Sequence, residues 1–134
     1  MMKDSLDCKK TLVGTYIYMS PERIEGLNYS FNSDIWSVAI SILECALGYY
    51  PYMKITDYNQ MNDIWSLGNL IKNNPIPTLP ENEFSTEFCD FMNLCLLKDP
   101  DKRPTATSLL SHPFVLMYEN RPFKDLAKWL NEIK

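Results

Sequence analysis

The residue types in this chain that could do chemistry are few and unevenly placed. A polar stretch at the start carries the hydroxyls Ser5, Thr11 and Thr15, followed by Ser20-Pro21-Glu22-Arg23. Hydroxyls in a polar loop are groups that can accept a phosphate, which adds about −1.5 to −2 of charge. Asp34 opens a long apolar run, and a second basic cluster, Lys102-Arg103-Pro104-Thr105, lies far along the chain. The glycines at 14, 26, 48 and 68 cannot form a G-x-G-x-x-G phosphate cradle. The one histidine, His112, is followed by Pro113. Cys8, Cys45, Cys89 and Cys95 show no paired C-x-x-C spacing, which predicts reduced core thiols in a cytosolic protein and neither a disulfide frame nor a zinc site.

These groups must be positioned by a scaffold of one small domain. Hydrophobic residues make up 46% and charged residues 22% of 134, enough for a real core in a globular protein. The net charge of −4 argues against a nucleic-acid surface or an anionic-membrane surface, since either needs a basic stripe. Met1-Met2-Lys3-Asp4-Ser5 has no apolar run and does not read as a targeting segment.

Residues 1–20 read as loop, and Pro21 opens a short helical turn. From Asp34 to Leu47 apolar residues point in every direction around a helix, the mark of a helix buried on all sides. The run is shorter than the roughly 20 residues a membrane span requires. Met61, Ile64, Trp65, Gly68 and Ile71 give a second, amphipathic helix, and "NNPIPTLP" at 73–80 an extended connection. Ser85 caps a third helix carrying Phe88, Phe91, Met92 and Cys95, which ends before Asp99-Pro100. Thr105 caps a fourth through Leu110, which His112-Pro113-Phe114 stops. Phe123, Leu126, Ala127, Leu130 and Ile133 put an apolar face on a last helix. The fold class is mainly α.

In order, "VGTYIYMSPER" at 13–23, Asp34-Ile35-Trp36-Ser37, Lys98-Asp99-Pro100 and Lys102-Arg103-Pro104-Thr105 resemble the C-terminal lobe of protein kinases over nearly the whole chain. The wording, with "SDIWS", "EFCDF" and "HPFV", is similar to MAP kinase kinases, especially plant and protist ones. The resemblance implies that residues 1–20 are the late activation segment and acceptor-site loop, and 21–134 the helical part of the lobe. It implies a buried ion pair between Glu22 and Arg103, against the alternative of a surface pair of little worth. Asp34 resembles the aspartate that accepts hydrogen bonds from catalytic-loop backbone N–H groups, or else is a simple helix cap. Trp36 belongs to the same motif, and the family's usual glycine three residues on is Ala39 here. Thr15 matches the threonine that shapes the acceptor site, and Thr11, with Ser5 before it, the activating phosphorylation sites. For each of these hydroxyls the plain alternative is an ordinary loop residue.

The family binds ATP and magnesium through a Gly-rich loop, a strand lysine, a His-Arg-Asp loop and Asp-Phe-Gly. None of these is in the chain, and Asp90-Phe91-Met92 falls in a helical stripe without the glycine. The expectation is therefore a C-terminal piece of a MAP kinase kinase-like dual-specificity kinase. With no cofactor of its own and no catalytic or metal-binding residue, the chain alone is inactive. The complete enzyme would use ATP and magnesium, phosphorylate a MAP kinase, and be activated by an upstream MAP kinase kinase kinase in the cytoplasm. The alternative is a non-catalytic helical module that binds a MAP kinase or an upstream kinase.

Overall fold

The computed structural model describes residues 16–54, 63–120 and 124–133. Its elements run α1 (Pro21–Ile24), α2 (Asn32–Leu47), a 3-10 turn (Pro51–Lys54), α3 (Ile64–Asn73), α4 (Thr86–Cys95), α5 (Ala106–Leu109), α6 (Pro113–Leu116) and α7 (Lys124–Glu132). There is no strand among the described residues, and no described helix is long and apolar enough to cross a membrane. The fold is mainly α, as the apolar periodicities predict.

The central helix α2 begins two residues earlier than Asp34, because Phe31 and not Asp34 is its N-cap. It ends at Gly48, whose left-handed φ of 77° lets its N–H return to the Glu44 carbonyl at 2.8 Å. Trp36, Ile40 and Leu43 on one side of α2 are fully buried, against Leu67 and Ile71 of α3 and Met92 of α4 within one core. The opposite side differs from the expectation of burial all round. Val38 is 56% exposed, and Ile35 and Ile42 are only partly covered.

Helix α3 is capped by Asp63, whose carboxylate takes the Ser66 N–H at 2.7 Å. It turns Leu67 and Ile71 inward, so Trp65, expected on the apolar face, lies outside at 72% exposure. The reason is angular, since Trp65 is two residues from Leu67 and so falls on another side of the helix. At Gly68 the packing on α1 is so close that a Cβ would come within 2.8 Å of Ile24 Cγ2. Lys98 closes the far end of α3 by donating its ammonium to the carbonyls of Lys72 (3.2 Å) and Asn74 (2.5 Å).

Ser85 and Thr105 cap α4 and α5 through the N–H groups of Phe88 and Ser108. His112-Pro113-Phe114, expected only as a stop, also starts α6. His112 Nδ1 accepts the Phe114 N–H (3.2 Å) while Nε2 meets the Asp90 carboxylate of α4 (3.1 Å). The proline ends α5 because it cannot extend a helix, and starts α6 because it fits a first helical position. Phe88 stacks on Phe114 at 4.7 Å, and the Phe91 ring meets His112 edge-on, so this corner is aromatic. Cys89 and Cys95 are buried thiols, as expected; Cys45 is exposed, and Cys8 lies outside the described residues.

Candidate functional site

Three segments distant in sequence meet around Arg103. The side chain is 0% exposed, and Glu22, on the short helix α1, is 3% exposed. Their contact is bidentate, Nη1 to Oε1 at 2.8 Å and Nη2 to Oε2 at 3.1 Å. The remaining guanidinium donors are also used. Nη1 reaches the Asn32 carbonyl (2.8 Å), Nε the Leu97 carbonyl (2.9 Å), and Nη2 the Lys98 carbonyl (3.4 Å). The cation lies over the Trp36 ring with 5.4 Å from Cζ to the centroid. A buried charge is costly unless paired and hydrogen-bonded, and here both ions are.

Two residues that the sequence reading did not single out complete the junction. Ser33 donates its hydroxyl to Glu22 Oε1 at 2.6 Å. Asn32 donates its amide to the carbonyls of Pro100 (3.2 Å) and Arg103 (3.3 Å). A signal for Ser33 existed, because residues three apart share a helix face and Trp36 must point into the core. Asn32 carried no such signal, since its partners are 68 and 71 residues away.

Burial alone would raise the Glu22 pKa. The Arg103 guanidinium, then the Ser33 hydroxyl, outweigh it and hold the carboxyl at about 2, below its ordinary 4.5. A carboxyl whose folded pKa is depressed contributes stability that is present above its unfolded pKa and lost as pH falls toward the folded one. Thermal melts should therefore show a junction contribution that is constant above about pH 5 and declines between about pH 4.5 and 2. Glu22→Gln should remove that part of the acid sensitivity, and a variant with an unchanged acid limb would contradict the assignment. Burial pushes the nearby Cys95 thiol up to about 11, with Arg103 opposing, so it stays protonated and inert.

The segment just before α1 is held separately. The Tyr18 hydroxyl donates to the Glu44 carboxylate at 2.6 Å, and the Ser37 hydroxyl to the Tyr18 carbonyl at 2.8 Å. Tyr50 donates to the Ile17 carbonyl at 2.5 Å, and the Met19 N–H closes a turn on the Tyr16 carbonyl. Ser37 and Glu44 are seven residues apart on α2, two turns along one face. A single helix thus carries one end of the Arg103 junction and two of the three side-chain bonds that hold residues 16–20.

Asp34 is exposed, its side chain makes no hydrogen bond or ion pair among the described residues, and it does not cap α2. Trp36 is buried beneath Arg103. Thr15, Thr11 and Ser5 lie outside the described residues. No cluster of three or more metal-ligating side chains occurs among the described residues. The open side of α2 lines an apolar groove of about 210 Å³ with Ile35, Val38 and Ile42 on one wall and Phe91, Leu110 and Val115 on the other.

The protein kinase domain family matches residues 2–115. Mitogen-activated protein kinase kinase 3 of Arabidopsis thaliana is 45% identical over 132 residues, 98% of this chain and 24% of the relative. Mitogen-activated protein kinase kinase 1 of the same plant is 47% identical over 110 residues, 82% of this chain and 31% of its own length. Mitogen-activated protein kinase kinase 1c of Physcomitrium patens is 40% identical over 119 residues, 89% of this chain and 34% of its own. The chain spans about a quarter to a third of these relatives. With the helical lobe and the family match over residues 2–115, the chain belongs to the protein kinase family and is similar to its MAP kinase kinases.

Proposed function

We propose that this chain is the substrate-facing helical lobe of a MAP kinase kinase-like dual-specificity kinase. In that enzyme the γ-phosphoryl group of ATP passes to Thr and Tyr hydroxyls of a MAP kinase. One observation carries the reading. Residues 16–20 are held by three side-chain hydrogen bonds, two from α2 and one from Tyr50 just after it, beside a Glu22–Arg103 junction that ties the following helix α1 to residues 97–103. A loop built to present a protein acceptor needs such a fixed bed, because phosphoryl transfer depends on in-line positioning.

In this reading Thr15 shapes the acceptor site, and Thr11, with a smaller part for Ser5, is the activating phosphosite used by an upstream MAP kinase kinase kinase. Asp34 faces outward to receive the catalytic loop's N–H groups, and the groove on the open side of α2 seats a helix of the same kinase. Trp65 on α3 offers a docking surface for the MAP kinase. ATP and magnesium belong to parts of the kinase outside these residues, whose sequence carries no G-x-G-x-x-G phosphate cradle and whose described part carries no metal-ligating cluster. The 134 residues alone do not transfer phosphate, and the setting is cytoplasmic.

Thr11 gives the test. In the complete kinase, Thr11→Ala should abolish the activated turnover of a MAP kinase on both its Thr and its Tyr, and Ser5→Ala should reduce it less. Full activated turnover by Thr11→Ala would overturn the assigned switch. A complete kinase that phosphorylates no MAP kinase would overturn the function. The module reading would gain if these 134 residues bound a MAP kinase and inhibited its phosphorylation.

A further inference from the structure

Tyr50 has no part in the Glu22–Arg103 junction, yet it reaches back 33 residues to the loop ahead of α1. It is 5% exposed and follows the left-handed Gly48 that ends α2. Its hydroxyl donates to the carbonyl of Ile17, itself only 8% exposed. Its ring also meets Tyr18 edge-on at 6.2 Å and Tyr52 at 6.1 Å, which fixes the hydroxyl's direction. The neighbouring Tyr52 hydroxyl is fully buried and has no hydrogen-bond partner among the described residues, so of these two tyrosines Tyr50 is the one whose polar group holds the loop.

We propose that Tyr50 is a positioning residue that sets acceptor choice, holding the loop at residues 16–20 against the core so that a threonine hydroxyl can reach the transfer site. The inference rests on the dual-specificity reading above. A threonine carries its hydroxyl on Cβ, whereas a tyrosine carries it several ångströms further from the backbone. A loop that supports both acceptors must therefore hold the substrate backbone close enough for the short one. The Ile17 carbonyl has its donor in Tyr50, and the next peptide unit is held by Ser37 through the Tyr18 carbonyl. Tyr18 is tied in turn to Glu44. Ser37 and Glu44 thus hold the loop from α2, and Tyr50 holds it from the segment just after α2. Releasing the Tyr50 pin leaves a buried carbonyl without a donor, and the loop relieves this by rising toward solvent. The substrate backbone then stands further out. The long acceptor still reaches, and the short one does not.

The test uses the complete kinase with an inactive MAP kinase as substrate, and mass spectrometry to follow initial phosphorylation of Thr and Tyr separately. Tyr50→Phe should lower the Thr rate relative to the Tyr rate by about fivefold, the scale of one neutral hydrogen bond. It should raise KM for the MAP kinase and leave KM for ATP unchanged. Tyr52→Phe, which removes a hydroxyl without a partner among the described residues, should leave the Thr-to-Tyr ratio at the wild-type value. If Tyr50→Phe does not fold, Ser37→Ala releases the adjacent pin and should shift the ratio the same way. A general loss of stability would lower both rates together, and that outcome, or an unchanged ratio, would overturn the proposal while leaving the kinase reading intact. A wild-type kinase that phosphorylates neither residue would sink that reading, and this inference with it.

Discussion

Arg103→Ala should destabilise the lobe by about 3–5 kcal/mol, the cost of stranding a buried charge. The size follows from the environment. Arg103 is fully buried, and its loss leaves the Glu22 carboxylate with the Ser33 hydroxyl as its one remaining described side-chain donor. It also removes the donors from three backbone carbonyls, those of Asn32, Leu97 and Lys98. Arg103→Lys should rescue little, because an ammonium cannot reproduce the two parallel bonds to Glu22 and the Nε bond to Leu97 together. A double variant with apolar residues at both 22 and 103 should be far less damaged than the two single variants added, since no unpaired ion remains. Denaturant titration measures all of these. An Arg103→Ala variant with a wild-type midpoint would mean that water screens the pair and that the junction holds nothing together.

The second large effect concerns the open flank of α2. Studied alone, the 134 residues should bind a hydrophobic dye and associate with concentration. Val38 is 56% and Leu110 67% exposed in the groove walls, Leu116 is 51% exposed, and Leu126, Trp129 and Leu130 of α7 and Ile133 just beyond it are all about half exposed or more. Leaving about 400 Å² of such surface uncovered forfeits on the order of 10 kcal/mol at about 25 cal/mol per Å². That is comparable to the whole stability of a small domain. Val38→Asp should reduce both dye binding and association by placing a charge in the groove wall. A monomer that melts cooperatively and binds no dye would contradict the prediction and favour a self-sufficient binding module.

The helices were legible in the sequence wherever a cap and an apolar stripe coincided. Ser85 with Phe88, Met92 and Cys95 is one case, and Thr105 before Ala106–Leu109 another. The position of Trp65 is not legible from apolar character alone, because its angle on the helix differs from that of Leu67 and Ile71, which take the buried side. Helix α6 was hidden because Pro113 signals a stop and a start alike, and its cap is a histidine, an uncommon residue for that role. At the site, Glu22 and Arg103 could be named from their motifs, but the bonds that satisfy Arg103 could not. Most of those acceptors are backbone carbonyls, which carry no residue-type signal. The same blindness hid Tyr50, whose partner is the carbonyl of Ile17.

The central claim is that these residues form the substrate-facing lobe of a dual-specificity kinase. It can be tested directly by grafting the chain in place of the matching segment of Arabidopsis mitogen-activated protein kinase kinase 1, with which it shares 47% identity over 110 residues. The measurement is phosphosite mapping on an inactive MAP kinase incubated with the graft, magnesium and ATP. The account predicts phosphate on both the Thr and the Tyr of the MAP kinase activation loop, lost in the graft carrying Thr11→Ala. A graft that melts cooperatively and binds ATP, yet labels neither residue, would contradict it.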